Sequence, residues 1–113
     1  MELESSTKEQ IEKMIGDNEV FLFMKWNPDF PMCGFSAVAS AILKKTGVEV
    51  GHCNVLDDNN IREGIKTFSN WPTIPQLYIK NEFVGGCDIM KEMAESGELL
   101  ELLNTKGIKT EVS

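Results

Sequence analysis

The chain has 113 residues, 42% hydrophobic and 26% charged, the balance of one globular unit, expected over 1–113, large enough to bury a core without disulfide staples or a structural metal. A formal net charge of −7 argues against a nucleic-acid surface or an anionic membrane as partner, since both attract basic patches. The longest apolar run, Val20 to Met24, is far too short to span a bilayer, and three cysteines at wide spacing fit neither a disulfide framework nor a paired zinc knuckle.

The start, Met1-Glu2-Leu3-Glu4, is acidic and lacks both the apolar core of a secretory signal and the Arg-rich character of a transit peptide. The chain therefore reads as cytoplasmic, or as the mature form of a mitochondrial or plastid protein. Ser6-Thr7-Lys8-Glu9 has capping-box spacing, and the helix it opens places Ile11, Met14 and Ile15 on one face before Gly16. Val20-Phe21-Leu22-Phe23-Met24 is expected to be a central strand buried on both faces, followed by a loop holding Pro28 and Pro31 that leads to Cys33.

From Gly34 to about Thr46, the apolar residues Phe35, Val38, Ala39 and Ile42 recur at helical spacing. Val48 to Val55 reads as a second strand, and Asp57 or Asp58 then caps a helix running to about Ser69 with Ile61, Ile65 and Phe68 inward. Gln76–Ile79 and Glu82–Val84, joined at Lys80-Asn81, read as a hairpin. Asp88 is expected to cap a fourth helix with Met90, Met93 and Ala94 inward, and Gly97 separates it from a last helix carrying Leu99, Leu102 and Leu103. A βαβ unit followed by a helix and a hairpin implies a four-stranded mixed sheet with helices on both faces, the thioredoxin-like α/β fold.

Chemistry concentrates around Cys33-Gly34-Phe35-Ser36, where a sulfur precedes a helix and an oxygen stands where a second sulfur would close a Cys-x-x-Cys disulfide. The helix start and Lys25 would both lower the thiol pKa. Pro75 opens a strand, and a cis bond there would leave the backbone of Ile74 free to pair with an extended peptide; a plain Pro-rich turn is the alternative. Gly85-Gly86 would let a ligand approach a helix N-terminus, with Asp88 either accepting from an ammonium or serving only as N-cap. Arg62 and Lys66, four residues apart on one helix face, either grip a carboxylate or are simply solvated. Together these features suggest a thiol tripeptide with a carboxylate at each end, a description glutathione fits.

Lys25 followed eight positions later by Cys33-Gly34-Phe35-Ser36, then Trp71-Pro72-Thr73-Ile74-Pro75-Gln76-Leu77-Tyr78, then Gly85-Gly86-Cys87-Asp88-Ile89, resembles the monothiol glutaredoxins of the CGFS type over about residues 8–108. The resemblance implies a cis Pro75 and a glutathione site in which Lys25, Arg62 and Lys66 meet a carboxylate. It further implies that the Ile74 backbone pairs with the cysteinyl unit, with Thr73 and Pro75 also at the site and Cys87 and Asp88 at the γ-glutamyl end. Cys33 would be both the reactive cysteine and an iron ligand, because family members bind a 2Fe-2S cluster between two protomers with one cysteine from each and two glutathione thiols. One departure is Trp26, where the family usually has glycine. Cys53 is expected to be a buried free thiol, while Cys87 would pair with Cys33 if the fold brought the sulfurs together. Nothing around His52 suggests catalysis.

Two functions follow from the resemblance. The first is cluster assembly and transfer, with glutathione, a homodimer and iron–sulfur acceptor proteins as partners. The alternative is a glutathione-dependent oxidoreductase, in which the Cys33 thiolate attacks a protein–glutathione disulfide, releases the protein thiol, and is regenerated by a second glutathione as glutathione disulfide. Ser36 removes the internal resolving step, so weak oxidoreductase activity at most is expected.

Overall fold

The computed structural model describes residues 3–27, 30, 31 and 34–110. Its elements are α1 (Ser5–Gly16), β1 (Val20–Met24), β2 (Trp26–Asn27), β3 (Phe30–Pro31), α2 (Gly34–Thr46), β4 (Gly51–Asn54), a 3₁₀ turn (Val55–Asp57), α3 (Asn59–Ser69), β5 (Gln76–Ile79), β6 (Glu82–Gly85), α4 (Cys87–Ser96) and α5 (Glu98–Thr105). The main sheet runs β4-β1-β5-β6, with β1 parallel to β4 and antiparallel to β5, and β5 antiparallel to β6. It is the thioredoxin-like arrangement, mixed and four-stranded.

Period-two alternation along β1 divides the core between two faces. Val20, Leu22 and Met24 pack with Leu43, Met90, Leu99 and Leu103 of α2, α4 and α5. Phe21 and Phe23 pack with Ile11 and Ile15 of α1, Ile61 and Ile65 of α3, and Tyr78. All five β1 residues are buried, as the unbroken apolar run requires. From Phe23, an edge-on ring contact passes to Tyr78 at 5.6 Å, and tilted contacts continue to Phe83 at a further 5.5 Å and Trp71 at 5.9 Å, so an aromatic chain links the core to the site described below.

Local chemistry sets the element ends. The Asp58 carboxylate accepts from Asn60 N–H at 2.9 Å and Ile61 N–H at 3.4 Å, and Asn70 ends α3 in the left-handed region at φ 55°. Lys80 and Asn81 both have positive φ, 50° and 70°, the pattern of a two-residue hairpin turn whose twist suits the flanking strands.

Several expectations are corrected. The first helix starts at Ser5 with Glu4 as N-cap and no side-chain cap bond, which puts Ser6 inside the first turn and not at the cap. The second strand shrinks to Gly51–Asn54, and the loop after β1 contains the small antiparallel pair β2–β3. On α2 the buried residues are Ser36, Ala39, Ser40, Leu43 and Thr46, whereas Phe35 is 65% and Val38 41% exposed. Ala94 is exposed, and Gly86, not Asp88, is the N-cap of α4.

Candidate functional site

A cleft of about 410 Å³ opens where the end of β1, the first turn of α2, α3, the segment before β5 and the start of α4 converge. Lys25, Arg62 and Lys66 line it, as do Thr73, Ile74 and Pro75, and so do Cys87 and Asp88. The sequence-selected binding residues thus meet at one place. Cys33 lies outside the described residues, and with it the Cys33–Cys87 pairing; the next residue, Gly34, is the first of α2. His52 and Cys53, on β4, do not line the cleft.

The cations arrive by a helical repeat: Arg62 and Lys66 sit one turn apart on α3, on a half-buried flank beside the stripe of buried Ile61 and Ile65. Arg62 Nε is buried and has no hydrogen-bond acceptor among the described residues. A guanidinium donor shut off from water with nothing to bond is the kind of group a bound carboxylate satisfies. Lys66 shares its charge with Glu63 in an exposed i,i+3 ion pair at 3.3 Å, an interaction of about 0–1 kcal/mol that a ligand displaces easily.

Between the cations and α4, the segment 71–75 is held in shape by Gln76. Its amide nitrogen, fully buried, donates to the carbonyls of Trp71 at 3.2 Å and Thr73 at 3.1 Å, and the Ile74–Pro75 peptide is cis. Asp88 is the second residue of α4 and is exposed, so its carboxylate and the first-turn N–H groups sit at the same end of the cleft.

Of the glycine pair, Gly86 lines the cleft and Gly85 does not. A Cβ at Gly85 would lie 2.7 Å from that of Ile89, and one at Gly86 would lie 3.3 Å from both the Pro75 carbonyl and Trp71 Nε1. Both glycines admit the protein's own groups, and Gly86 does so at the cleft wall. Trp26 is 40% exposed and occupies the left-handed region at φ 74°, a conformation that costs any side-chain-bearing residue and explains why glycine suits the position.

Sequence reasoning passed over Gln76 as a site residue, although a Gln in a strand buried at every position signals a bonded amide. It also missed Phe35, whose helical spacing read as core, and Ile89, to which it gave no role. Cys53 is half-buried; burial first, then the charges of Asp58 and Asp57, push its thiol up to about 11. Among the described residues, no group of three or more His, Cys, Asp or Glu is placed to hold a metal ion, and no helix is long and apolar enough to cross a membrane.

Residues 20–84 match the family model described as Glutaredoxin. The chain is 50% identical over 107 residues to glutaredoxin-related protein 5, mitochondrial, of Danio rerio, covering 94% of this chain and 69% of that protein. It is likewise 50% identical over 109 residues to a probable monothiol glutaredoxin 2 of Rickettsia typhi, covering 95% and 98%. Against monothiol glutaredoxin-S11 of Oryza sativa subsp. japonica, at 49% identity, 93% of this chain spans only 21% of the relative's length. The solution structure of a monomeric truncated mutant of Trypanosoma brucei 1-C-Grx1 superposes with a TM-score of 0.86 at 42% identity, covering 94% of this chain and 96% of that one. A buckwheat glutaredoxin–glutathione complex, 18% identical, shares the fold with a TM-score of 0.79 over 90% of this chain and 91% of its own.

Proposed function

The chain belongs to the glutaredoxin family, among its monothiol members, and on that premise we propose that it binds glutathione in the cleft and, as a pair of protomers, carries a 2Fe-2S cluster as cargo to iron–sulfur acceptor proteins. The observation that carries this reading is the chemistry of the cleft: three cations, one just after β1 and two from α3, one of them with an unpartnered buried nitrogen, against an acid and a helix N-terminus from α4.

Glutathione has a carboxylate at each end and an ammonium beside one of them. Its glycyl carboxylate would take the Arg62 fork with Lys25 and Lys66, and its γ-glutamyl carboxylate the first-turn N–H groups of α4 at Cys87 and Asp88. The ammonium would meet the Asp88 carboxylate, and Thr73, Ile74 and Pro75 would seat the cysteinyl unit between them. A 2Fe-2S cluster held by thiolates needs four. One chain offers Cys33 and its glutathione a second sulfur, so two protomers complete the set, and the cationic cleft suits an anionic assembly. Ser36 leaves no competing sulfur at its position. The protein would work in a reducing compartment, the cytoplasm or an organelle interior, where these thiols stay reduced.

Calorimetry with glutathione tests the site. Arg62→Ala is expected to weaken binding about tenfold, the loss of one charge-assisted fork, and equal affinity removes the cleft from the account. Turnover of a glutathionylated substrate tests the enzymatic alternative. A rate far below that of a dithiol glutaredoxin is expected, and comparable rates would overturn the carrier reading.

A further inference from the structure

Two consecutive backbone N–H groups just after β1 are each held by a side chain from a different element. Lys25 N–H donates to Ser36 Oγ at 3.2 Å, and Trp26 N–H donates to Asn54 Oδ1 at 2.6 Å. Ser36 is fully buried in the first turn of α2, and Asn54 is the last residue of β4, paired in register with Met24. The same Asn54 oxygen accepts from Leu56 N–H at 3.1 Å, capping the 3₁₀ turn that follows. Both of its partners are donors, so the oxygen rather than the amide nitrogen must face them.

The dipeptide so held contains an unfavourable backbone conformation. Trp26 sits at φ 74°, which an L-residue keeps only when its surroundings over-determine it, while Lys25 sends its side chain to the cleft lining. We propose that Asn54, with Ser36 as its counterpart, is a positioning residue: the two side chains clamp the Lys25–Trp26 backbone and thereby fix where the Lys25 ammonium enters the cleft. This rests on the reading of the cleft as a glutathione site. It also assigns Ser36 a structural task as a hydroxyl acceptor that a thiol would perform poorly, since sulfur is a weak acceptor.

The test combines amide hydrogen exchange with glutathione titration for wild type, Asn54→Ala, Asn54→Asp and Ser36→Ala, with the Asn54 variants repeated in a Lys25→Met background. Asn54→Ala is expected to speed exchange at the Trp26 amide about tenfold and to weaken glutathione binding about fivefold, the loss of one hydrogen bond's worth of order. In the Lys25→Met background the same change should leave affinity unaltered. Asn54→Asp keeps an acceptor and should retain both properties, while Ser36→Ala should speed exchange at Lys25. The proposal is overturned if Asn54→Ala leaves Trp26 exchange unchanged, or weakens binding equally with and without Lys25, as general loosening would. If wild type fails to bind glutathione the functional reading falls, whereas the exchange comparison still decides whether the clamp exists.

Discussion

Gln76 is a buried polar side chain at the head of an otherwise apolar strand, and its amide spends both donors on the carbonyls of Trp71 and Thr73. Replacing it with leucine of similar bulk leaves two carbonyls without a donor beside the cleft. Gln76→Leu is expected to cost about 1–3 kcal/mol in a urea titration and to weaken glutathione binding with it; an unchanged midpoint would show that water takes over the two bonds. Cys53 gives a second prediction at this scale. Its thiol is raised to about 11 by burial and by Asp58 and Asp57, whereas an unfolded cysteine ionises near about 8.5. The fold thus favours the neutral thiol, so this contribution to stability is complete below the unfolded value and is lost as pH rises toward the folded one. Wild type should lose stability between those two values, and Cys53→Ala should show a shallower loss, measured by thermal melts across alkaline pH. Tyr78, raised to about 12 mainly by burial, adds a separate loss that begins higher and persists in the variant.

At the scale of elements, β1, α3 and the β5–β6 hairpin were legible because each carries a local signature: an unbroken apolar run, an Asp cap with an i,i+4 stripe, and a Lys-Asn pair suited to positive φ. The face of α2 was not. Its apolar residues Phe35 and Val38 are exposed, while Ser36, Ser40 and Thr46 go inward, because small side chains let a helix lie close to its neighbours and their hydroxyls can be bonded; Thr46 Oγ1 donates to the Leu43 carbonyl at 2.6 Å, and Ser36 Oγ accepts from Lys25 N–H. Counting apolar positions cannot distinguish such a face from a functional rim. The β2–β3 pair was hidden by two prolines that read as loop. The α1–α3 contact has a sharper determinant in Gly64, where a Cβ would lie 2.6 Å from Thr7 Cγ2 and 3.0 Å from Leu3 Cδ1. Gly64→Val is expected to cost about 1–3 kcal/mol by overpacking, with part of the loss recovered by Thr7→Ser. Thermal melts of the two single variants and the double variant decide this, and additive losses would place the strain elsewhere.

Across the whole molecule, the fold delivers to one cleft residues spread from Lys25 to Asp88, and most of that convergence was readable because these residues sit beside element ends, in the Pro-rich segment before β5, or on one helix face. The clamp by Asn54 and Ser36 was not readable, since a side chain accepting from a backbone N–H distant in sequence leaves no periodic trace. On the proposed reading, Ser36 leaves Cys33 without a second sulfur to close an internal disulfide, and a lone thiol beside a thiol tripeptide would suit cluster carriage better than disulfide cycling. The most direct test is anaerobic reconstitution with iron, sulfide and glutathione, read by visible absorbance and sizing. Wild type should develop the chromophore of a 2Fe-2S cluster and elute as a dimer, while Cys33→Ala should do neither. Absence of the chromophore in wild type, or its full retention in Cys33→Ala, would contradict the account.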